Sequence, residues 1–397
     1  MRSRLRRRIL PAGVLFILIA ASDFATAVFA QIIENPAKPK ASNAGRVVVA
    51  EQVLAISDEG TSDYYFKWPH GLRTGPDGSL SLLDRDQALR FDENGKFLGN
   101  LLKKGQGPGE VNSPGACLAT TRNVIIISNY PDKIVFLDPA GKFEKEIPIR
   151  QEGRTILSIL LYHGGSFLFS GWDFPRTTGD PKTVEVPQKF FAVSEATGEV
   201  KNLTTFTTKA FVITAAGGGG GMFPVMDLIT TPFQEKFLAL AHTEEYLVKI
   251  YDPAANTVVR EFRRAYERVK GEPLTAAEKK GGVLAGGQHY TRPERKFEND
   301  VKNILARDNE IWAVTSTKDK TKGVLVDVFD GEGVYQDCFW LKLPEPALEN
   351  VLSPGSCALD DDSLWIVEHS EDDTYTIKKY RIVAEGTAEP ESKGGGE

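Results

Sequence analysis

The stretch that decides the fold runs from residue 78 to residue 143, where one unit occurs twice. The first copy reads Gly-Ser-Leu-Ser-Leu-Leu-Asp from residue 78, Ala-Leu-Arg-Phe-Asp from residue 88 and Gly-Lys-Phe-Leu from residue 95. The second reads Asn-Val-Ile-Ile-Ile-Ser-Asn from residue 123, Ile-Val-Phe-Leu-Asp from residue 134 and Gly-Lys-Phe from residue 141. Each copy consists of short apolar runs separated by turn residues, which is typical of strands joined by hairpins. A unit of this length that recurs predicts a repeat architecture.

The same pattern continues toward the C-terminus and predicts six units. Their second strands are expected at Leu80–Asp84, Val124–Asn129, Ser166–Ser170, Phe237–His242, Ile311–Ser316 and Leu364–His369. The sixth unit ends at its third strand, Thr376–Val383, whereas an early strand, Arg46–Leu54, belongs to no complete unit. Pairing of these two strands would close a ring of four-stranded sheets, which is a β-propeller. The sequence therefore predicts an all-β, six-bladed β-propeller over residues 46–383, closed by an N-terminal strand that completes the last blade.

The two ends of the chain have compositions unlike the repeats. Five arginines precede an apolar run from Ile9 to Ala21, and small residues surround Ala30. This pattern predicts a secretory signal peptide over residues 1–30, cleaved near Ala30, and an exported protein in the periplasm or outside the cell. An uncleaved membrane anchor is the alternative interpretation. Residues 31–45 are expected to be a flexible leader, and residues 384–397 a disordered tail.

The net charge excludes some classes of partner, and the cysteine count limits the possible disulfide bonds. Removing residues 1–30 takes away five arginines and one aspartate, so the formal net charge changes from −6 to −10. An acidic chain is a poor match for nucleic acid or for an anionic membrane surface. The three cysteines, Cys117, Cys338 and Cys357, leave at least one thiol unpaired, and we expect all three to be small buried apolar residues.

A segment between the two copies carries a family resemblance. It reads Gly-Gln-Gly-Pro-Gly-Glu at residues 105–110, a Pro-Gly follows at 114–115, and the second copy follows in turn. Residues 65–145 resemble an NHL-type repeat, and the chain to residue 383 is similar to bacterial exported six-bladed β-propeller proteins with this signature. The resemblance implies the fold, whereas propellers host many functions. We expect residues 105–110 to set a turn, with Glu110 accepting backbone N–H bonds.

The long segments of the sequence all lie at one edge of the predicted sheets. At this edge the second strand of each unit is joined to the third, and each unit is linked to the next. We call this edge the long-loop face. The long segments are Gly171–Gln188, Lys201–Val225, Arg263–Asn299 and Thr317–Lys322. Long loops on a rigid scaffold usually carry function. We therefore predict a non-catalytic binding or scaffold protein with a protein or carbohydrate ligand on this face. A structural component of an envelope assembly, held through residues 263–299, is an alternative.

Polar residues at the ends of the second strands are the candidate binding residues. They are Asp84, Arg85, Asn129, Trp172, Asp173, His242, Glu368 and His369. A second alternative is a divalent-metal-dependent hydrolase or lactonase, because the set looks like the channel residues of gluconolactonase-type propellers. In that case calcium or another divalent cation would be bound by Asp84, Asn129, Asp173 and Glu368, with His242 or His369 as base. The chain carries no recognised catalytic motif, so no catalytic residue is assigned and no cofactor is predicted.

Overall fold

The computed structural model describes residues 31–384 except 151–155, 176, 178–179, 215–219, 277–278, 280–281, 286, 361–362 and 371. The predicted signal peptide and all of the predicted tail beyond residue 384 lie outside the described residues. Strands dominate the described residues, which also contain a short helix, α1 (Glu345–Val351). The described strands, in chain order, are β1 (Ile32–Asn35), β2 (Arg46–Ile56), β3 (His70–Thr74), β4 (Leu80–Asp84), β5 (Gln87–Phe91), β6 (Phe97–Asn100), β7 (Pro114–Ala119), β8 (Val124–Asn129), β9 (Asp132–Leu137), β10 (Phe143–Pro148), β11 (Ile156–His163), β12 (Ser166–Trp172), β13 (Lys182–Ser194), β14 (Val200–Thr214), β15 (Gly220–Met226), β16 (Leu228–Phe233), β17 (Phe237–His242), β18 (Val248–Asp252), β19 (Thr257–Arg264), β20 (Val283–Ala285), β21 (Gln288–Tyr290), β22 (Val301–Arg307), β23 (Glu310–Asp319), β24 (Gly323–Asp330), β25 (Tyr335–Lys342), β26 (Cys357–Asp360), β27 (Ser363–His369) and β28 (Tyr375–Ala384).

Consecutive strands pair antiparallel in groups of four. The groups are β3 to β6, β7 to β10, β11 to β14, β16 to β19, β22 to β25, and finally β26, β27 and β28 with β2. Turn residues separate the strands as the sequence predicts. In the turns after β5, β9 and β24, for example, the carboxylates of Asp92, Asp138 and Asp330 accept backbone N–H bonds. These local bonds stabilise the turn of each hairpin.

The N-terminal strand β2 joins the two ends of the chain. It pairs antiparallel with β28, from Val48 opposite Ala384 to Ile56 opposite Ile377. Its first residues also pair parallel with β25, beginning at Arg46 opposite Phe339. The predicted pairing of Arg46–Leu54 with the last strand is therefore present, and it completes a four-stranded group.

Hydrophobic clusters fill the spaces between neighbouring groups. Leu82 and Trp365 share one cluster between the first and last groups, and neither side chain is measurably exposed. Equivalent clusters lie between each of the other consecutive pairs of groups. Because each sheet packs on both faces, strands such as β4 are buried along their whole length and need no polar alternation. The fold is all-β with a propeller-like arrangement of sheets.

Part of the predicted flexible leader is paired instead. Strand β1 adds parallel to the outer edge of β19, and Asn35 fixes its end. The Asn35 side-chain amide donates to the Gly333 carbonyl at 2.9 Å, and its oxygen accepts from the Tyr335 N–H at 2.8 Å. Further along, the Gly45 N–H donates to the Cys338 carbonyl at 2.7 Å. The leader thus covers otherwise unpaired backbone groups at the outer edges of two sheets.

Two segments predicted to be long loops contain strands. Residues 171–188 and 201–225 include parts of β13, β14 and β15, which pair with one another beyond the end of β12. Val186, Ala210 and Val212 form a small buried cluster there. The hairpin β20–β21 packs against this extension, since a Cβ added to Gly221 would lie 2.5 Å from the Val283 side chain. We call residues 182–188, 205–214, 220–226 and 283–290 (286 excepted) the arm.

No helix in the described part of the chain is long and apolar enough to cross a membrane. The three cysteines are free thiols, with Cys117 and Cys357 buried and Cys338 partly exposed. Burial raises the pKa of both buried thiols to about 12, which keeps them protonated.

Candidate functional site

The predicted binding residues lie at the ends of second strands, at the long-loop face. Asp84 ends β4 and is fully buried. Its carboxylate accepts from the backbone N–H of Lys67 at 2.7 Å and of Trp68 at 3.0 Å. Burial raises the pKa of Asp84, while those two bonds and the charges of His70 and Arg85 lower it. Its geometry is that of a carboxylate that fixes the segment leading into β3.

Glu368, at the end of β27, is held by its own sheet. Its Oε2 lies 2.6 Å from the Lys378 Nζ, and its Oε1 accepts from the Tyr380 hydroxyl. Burial, followed by the hydrogen bond from Tyr380 to Glu368, raises the pKa of Tyr380. Both oxygens of this carboxylate therefore have partners within the protein.

The candidates of the second and third groups have different surroundings. Asp173 is exposed and pairs with Lys189 at 2.7 Å. Trp172 packs against the cluster of the arm. Asn129 lies against the start of β7, where a Cβ added to Gly115 would be 2.5 Å from its amide nitrogen. The Asn129 Oδ1 is buried and has no hydrogen-bond partner among the described residues.

The two histidines differ from each other. His242 is half-buried, its Nε2 has no partner in the described structure, and its ring lies 6.3 Å from that of Phe206. Burial lowers the pKa of His242. His369 is exposed; its Nε2 lies 2.7 Å from Asp373 Oδ1, and its ring stacks on Tyr375 at 4.3 Å.

Only some of these residues are brought together. The charge of Asp84 contributes to the raised pKa of Tyr375, after burial and Asp373, so Asp84 and His369 both neighbour this ring. Arg85 lies in the turn after β4 in a left-handed conformation with φ of 49°. Across the described ranges, no three His, Cys, Asp or Glu side chains form a group that could hold a metal ion. The four candidate metal ligands come from separate sheets.

Several large apolar side chains are exposed on the long-loop face, and their exposure was not predicted from the sequence. Trp68 is 64% exposed, Tyr130 60%, Phe174 45% and, on the arm, Leu284 73%. Trp68 precedes β3 and Tyr130 follows β8, and each stands directly before a proline. An aromatic residue next to a proline at a strand boundary is therefore the sequence feature that could have predicted these exposed side chains. The other large apolar residues that are exposed in the described chain are Val53, Leu98, Phe143 and Val259, all on fourth strands at the outer edge.

The structure has a central cavity of about 790 Å³, and the residues that line it were not predicted from the sequence. Its wall comes from the first strand of every group: β3, β7, β11, β16, β22 and β26, together with adjoining turns. None of the eight predicted binding residues lines it. Arg73 on β3 does, and its Nη2 donates to the Ile159 carbonyl of β11 at 2.7 Å.

The glycine-rich motif at residues 105–110 has the expected structural role. The Gly107 N–H donates to Glu110 Oε2 at 3.1 Å. Buried Lys133 donates to the Gly107 carbonyl at 2.9 Å and to Glu146 at 2.8 Å. Glu146 in turn accepts from the Gly109 N–H at 2.9 Å. The motif is therefore bonded to β9 and β10 of the second group.

Comparison with known proteins gives the fold. No family model matches the chain, and no curated protein matches it either. Among solved structures it is similar to a protein described as exported from Bacteroides fragilis, with a TM-score of 0.50, 12% identity, and 89% of this chain and 99% of that one covered. It is similar also to a DUF4221-family member from Bacteroides vulgatus, with a TM-score of 0.51, 12% identity, and coverages of 86% and 99%.

A gluconolactonase from Xanthomonas campestris aligns over 87% of this chain and 97% of its own, at 11% identity, but its TM-score is 0.42. At these identities the comparisons support a shared fold alone.

Proposed function

We propose that the chain is an exported six-bladed β-propeller that binds a protein partner on the long-loop face without catalysing a reaction. The observation that carries this proposal is the distribution of exposed aromatic residues. Trp68, Tyr130 and Phe174 belong to three consecutive groups, and each sits on a turn or link of the same face. Exposed aromatic side chains are enriched at protein interfaces, where they supply large rigid contact area.

The blade count rests on the pairing and packing already described. Each four-stranded group corresponds to one blade, β2 completes the last, and apolar clusters occupy the spaces between blades. An NHL-type origin of the repeat rests on residues 105–110 and the two matching copies around them. Export rests on the signal-peptide pattern of residues 1–30 and the predicted cleavage near Ala30.

A protein partner suits this face better than a carbohydrate. Phe174 and Leu284 offer exposed apolar surface with no hydrogen-bonding group of their own, which a protein interface buries and the hydroxyl groups of a sugar cannot pair with. The arm enlarges the same face, and Leu284 on it is its most exposed large apolar side chain. A structural role in an envelope assembly would use this surface too, because β20 and β21 lie within residues 263–299.

A metal-dependent hydrolase, the alternative function, would need carboxylates that are free to bind a cation. Asp84 and Glu368 already accept hydrogen bonds from their own protein, and Asp173 pairs with Lys189. We therefore expect calcium, magnesium, zinc or EDTA to leave the midpoint of thermal unfolding unchanged. A clear shift with one metal, lost in Asp84→Asn, would instead favour the metal-dependent enzyme.

Photo-crosslinking in the producing cell tests the binding face. A photoreactive phenylalanine analogue replaces Trp68 or Phe174 in the full chain, and Val259 on outer strand β19 serves as the matched exposed control. We expect the first two positions to yield the same discrete protein adduct and position 259 to yield none. Equal adducts at all three positions, or none at any, would contradict a protein partner on this face.

A glycan array tests whether the ligand of the long-loop face is a carbohydrate instead. The purified chain is compared with a Trp68→Ala/Tyr130→Ala double variant. We expect no glycan signal for either. A glycan signal that the double variant loses would identify the ligand as carbohydrate and overturn the protein assignment.

A further inference from the structure

Arg73 is the one arginine or lysine among the described residues of the cavity wall, where it is partly exposed, and no described carboxylate pairs with it. It extends from β3 of the first group to the Ile159 carbonyl of the third, at 2.7 Å, so it bridges two non-adjacent groups. Burial lowers the pKa of Arg73, and among the described residues no carboxylate opposes that effect. Two arginines with more enclosed side chains each have one: Arg90, 7% exposed, pairs with Asp77 at 2.5 Å, and Arg264, 9% exposed, pairs with Asp327 at 2.7 Å.

A charge that is partly removed from water without a counter-charge is costly, and proteins normally pair it. Arginine cannot escape the cost by losing its proton at ordinary pH. Its guanidinium has five N–H donors in a planar fork, and the Ile159 carbonyl occupies only one part of it. The remaining donors match the two oxygens of a carboxylate or a phosphate.

The rest of the wall suits a small anion. The cavity, about 790 Å³, is in the range that holds a small molecule. Threonines 74, 120, 121, 230 and 231 contribute hydroxyl-bearing side chains to the wall. Glu235 is the single carboxylate of the lining, and it is exposed in the turn after β16, where solvent screens its charge.

We propose that the central cavity binds a small anion, carrying a carboxylate or a phosphate, through the guanidinium of Arg73. This site is independent of the long-loop face. The chain as a whole is acidic, with a net charge of −6, so its overall field does not attract anions. Selectivity for the anion therefore comes from the local charge of Arg73.

Thermal unfolding of residues 31–397 in inorganic phosphate, succinate or citrate tests the proposal, with sodium chloride at matched ionic strength as reference. We expect at least one of these anions to raise the midpoint by a few degrees over chloride, and a phosphate-only or carboxylate-only response identifies the group recognised. Arg73→Gln should lose the shift. Arg381→Gln, which removes an exposed arginine on β28 that does not line the cavity, should keep it.

The variants also separate binding from a merely structural role. Because Arg73→Gln removes an uncompensated charge, we expect its midpoint without anion to be no lower than that of the parent chain. Arg73→Lys keeps the charge without the planar fork, so it should fold and show a reduced shift. The proposal is overturned if none of the three anions stabilises the parent chain beyond chloride, or if Arg73→Lys and Arg73→Gln respond as fully as the parent.

Discussion

At the scale of single residues, Arg264 and Asp327 form the most enclosed charge pair of the described chain. The side chain of Asp327 is fully buried, and its Oδ2 lies 2.7 Å from Arg264 Nη2. The Tyr335 hydroxyl donates to Oδ1 at 2.6 Å, and the Tyr246 hydroxyl donates to Oδ2. The guanidinium also lies over the rings of Tyr246, Tyr266 and Tyr335, at 5.2, 5.3 and 5.4 Å. Each polar atom of the carboxylate is thus satisfied, which is the condition under which a buried charge is tolerated.

Replacing one member of this pair should destabilise the protein, because the other member then remains as an unpaired buried charge. We expect Asp327→Asn to lower the free energy of unfolding by about 3–5 kcal/mol, because Arg264 is left as an uncompensated buried charge. Urea unfolding measures the loss. Asp173→Asn breaks the exposed pair with Lys189 and should cost at most about 1 kcal/mol. Similar losses for both variants would contradict the assigned burial.

His242 gives the chain a pH dependence of known sign. Burial, followed by the charge of Lys249, lowers the pKa of His242 from 6.5, and Glu245 partly opposes this. The unfolded chain therefore takes up the proton at higher pH than the folded chain does. The stabilising contribution is complete above about pH 6.5 and is lost as pH falls through the lower folded pKa. We expect Tm to fall less between pH 7.5 and 5.5 in His242→Gln than in the parent chain; equal falls would contradict the effect.

At the scale of strands and turns, local sequence determines most of the elements. The predicted bounds of β4, β8 and β17 match the structure, because each is a short, mainly apolar run between turn residues. The strands of the arm were missed. Their polar and threonine-rich residues become strands through pairing beyond the end of β12, and that long-range register leaves no local signal. The leader strand β1 was missed for the same reason, since β19 supplies its partner.

Gly109 tests the contacts of the turn at residues 105–110. It has φ of +74°, and an added Cβ would lie 2.7 Å from the Phe143 ring and 3.1 Å from its Cβ. Gly60 has φ of +75° and nothing within 4 Å, so it is a matched control. We expect Gly60→Ala to cost about 1 kcal/mol of backbone strain and Gly109→Ala at least about 1 kcal/mol more in urea unfolding. Equal costs would show that Phe143 moves aside freely.

At the scale of the whole molecule, the sequence located the strand ends but not what their side chains do. Asp84 and Glu368 are polar residues at the predicted positions, yet tertiary contacts with Lys67, Trp68 and Lys378 occupy them. The residues that line the central cavity had no sequence signal, because the lining is formed only when six first strands converge from across the chain. Arg73 is unremarkable within His-Gly-Leu-Arg-Thr, and only the assembled cavity distinguishes it.

Ring closure by β2 predicts how the molecule responds to shortening. Removing residues 31–36 deletes β1 and should lower Tm modestly, because β1 only adds to the outer edge of β19. Removing residues 31–56 also deletes β2. This deletion breaks the link between β25 and β28 and exposes apolar surface around Leu341 and Ile377. We expect this shorter chain to lose its single cooperative unfolding transition and to aggregate in size-exclusion chromatography.

The magnitudes explain why the second truncation should be so much more severe. Val48 and Ile56 are each 4% exposed, and burying such a side chain contributes about 1.5–3 kcal/mol. Together with the lost ladder to both neighbouring strands, their removal approaches the entire stability of about 5–15 kcal/mol that is typical of a folded domain. A synthetic peptide of residues 46–56 added to the shortened chain should restore part of the transition. A shortened chain that unfolds cooperatively at the parent midpoint would mean that the remaining sheets hold together without closure.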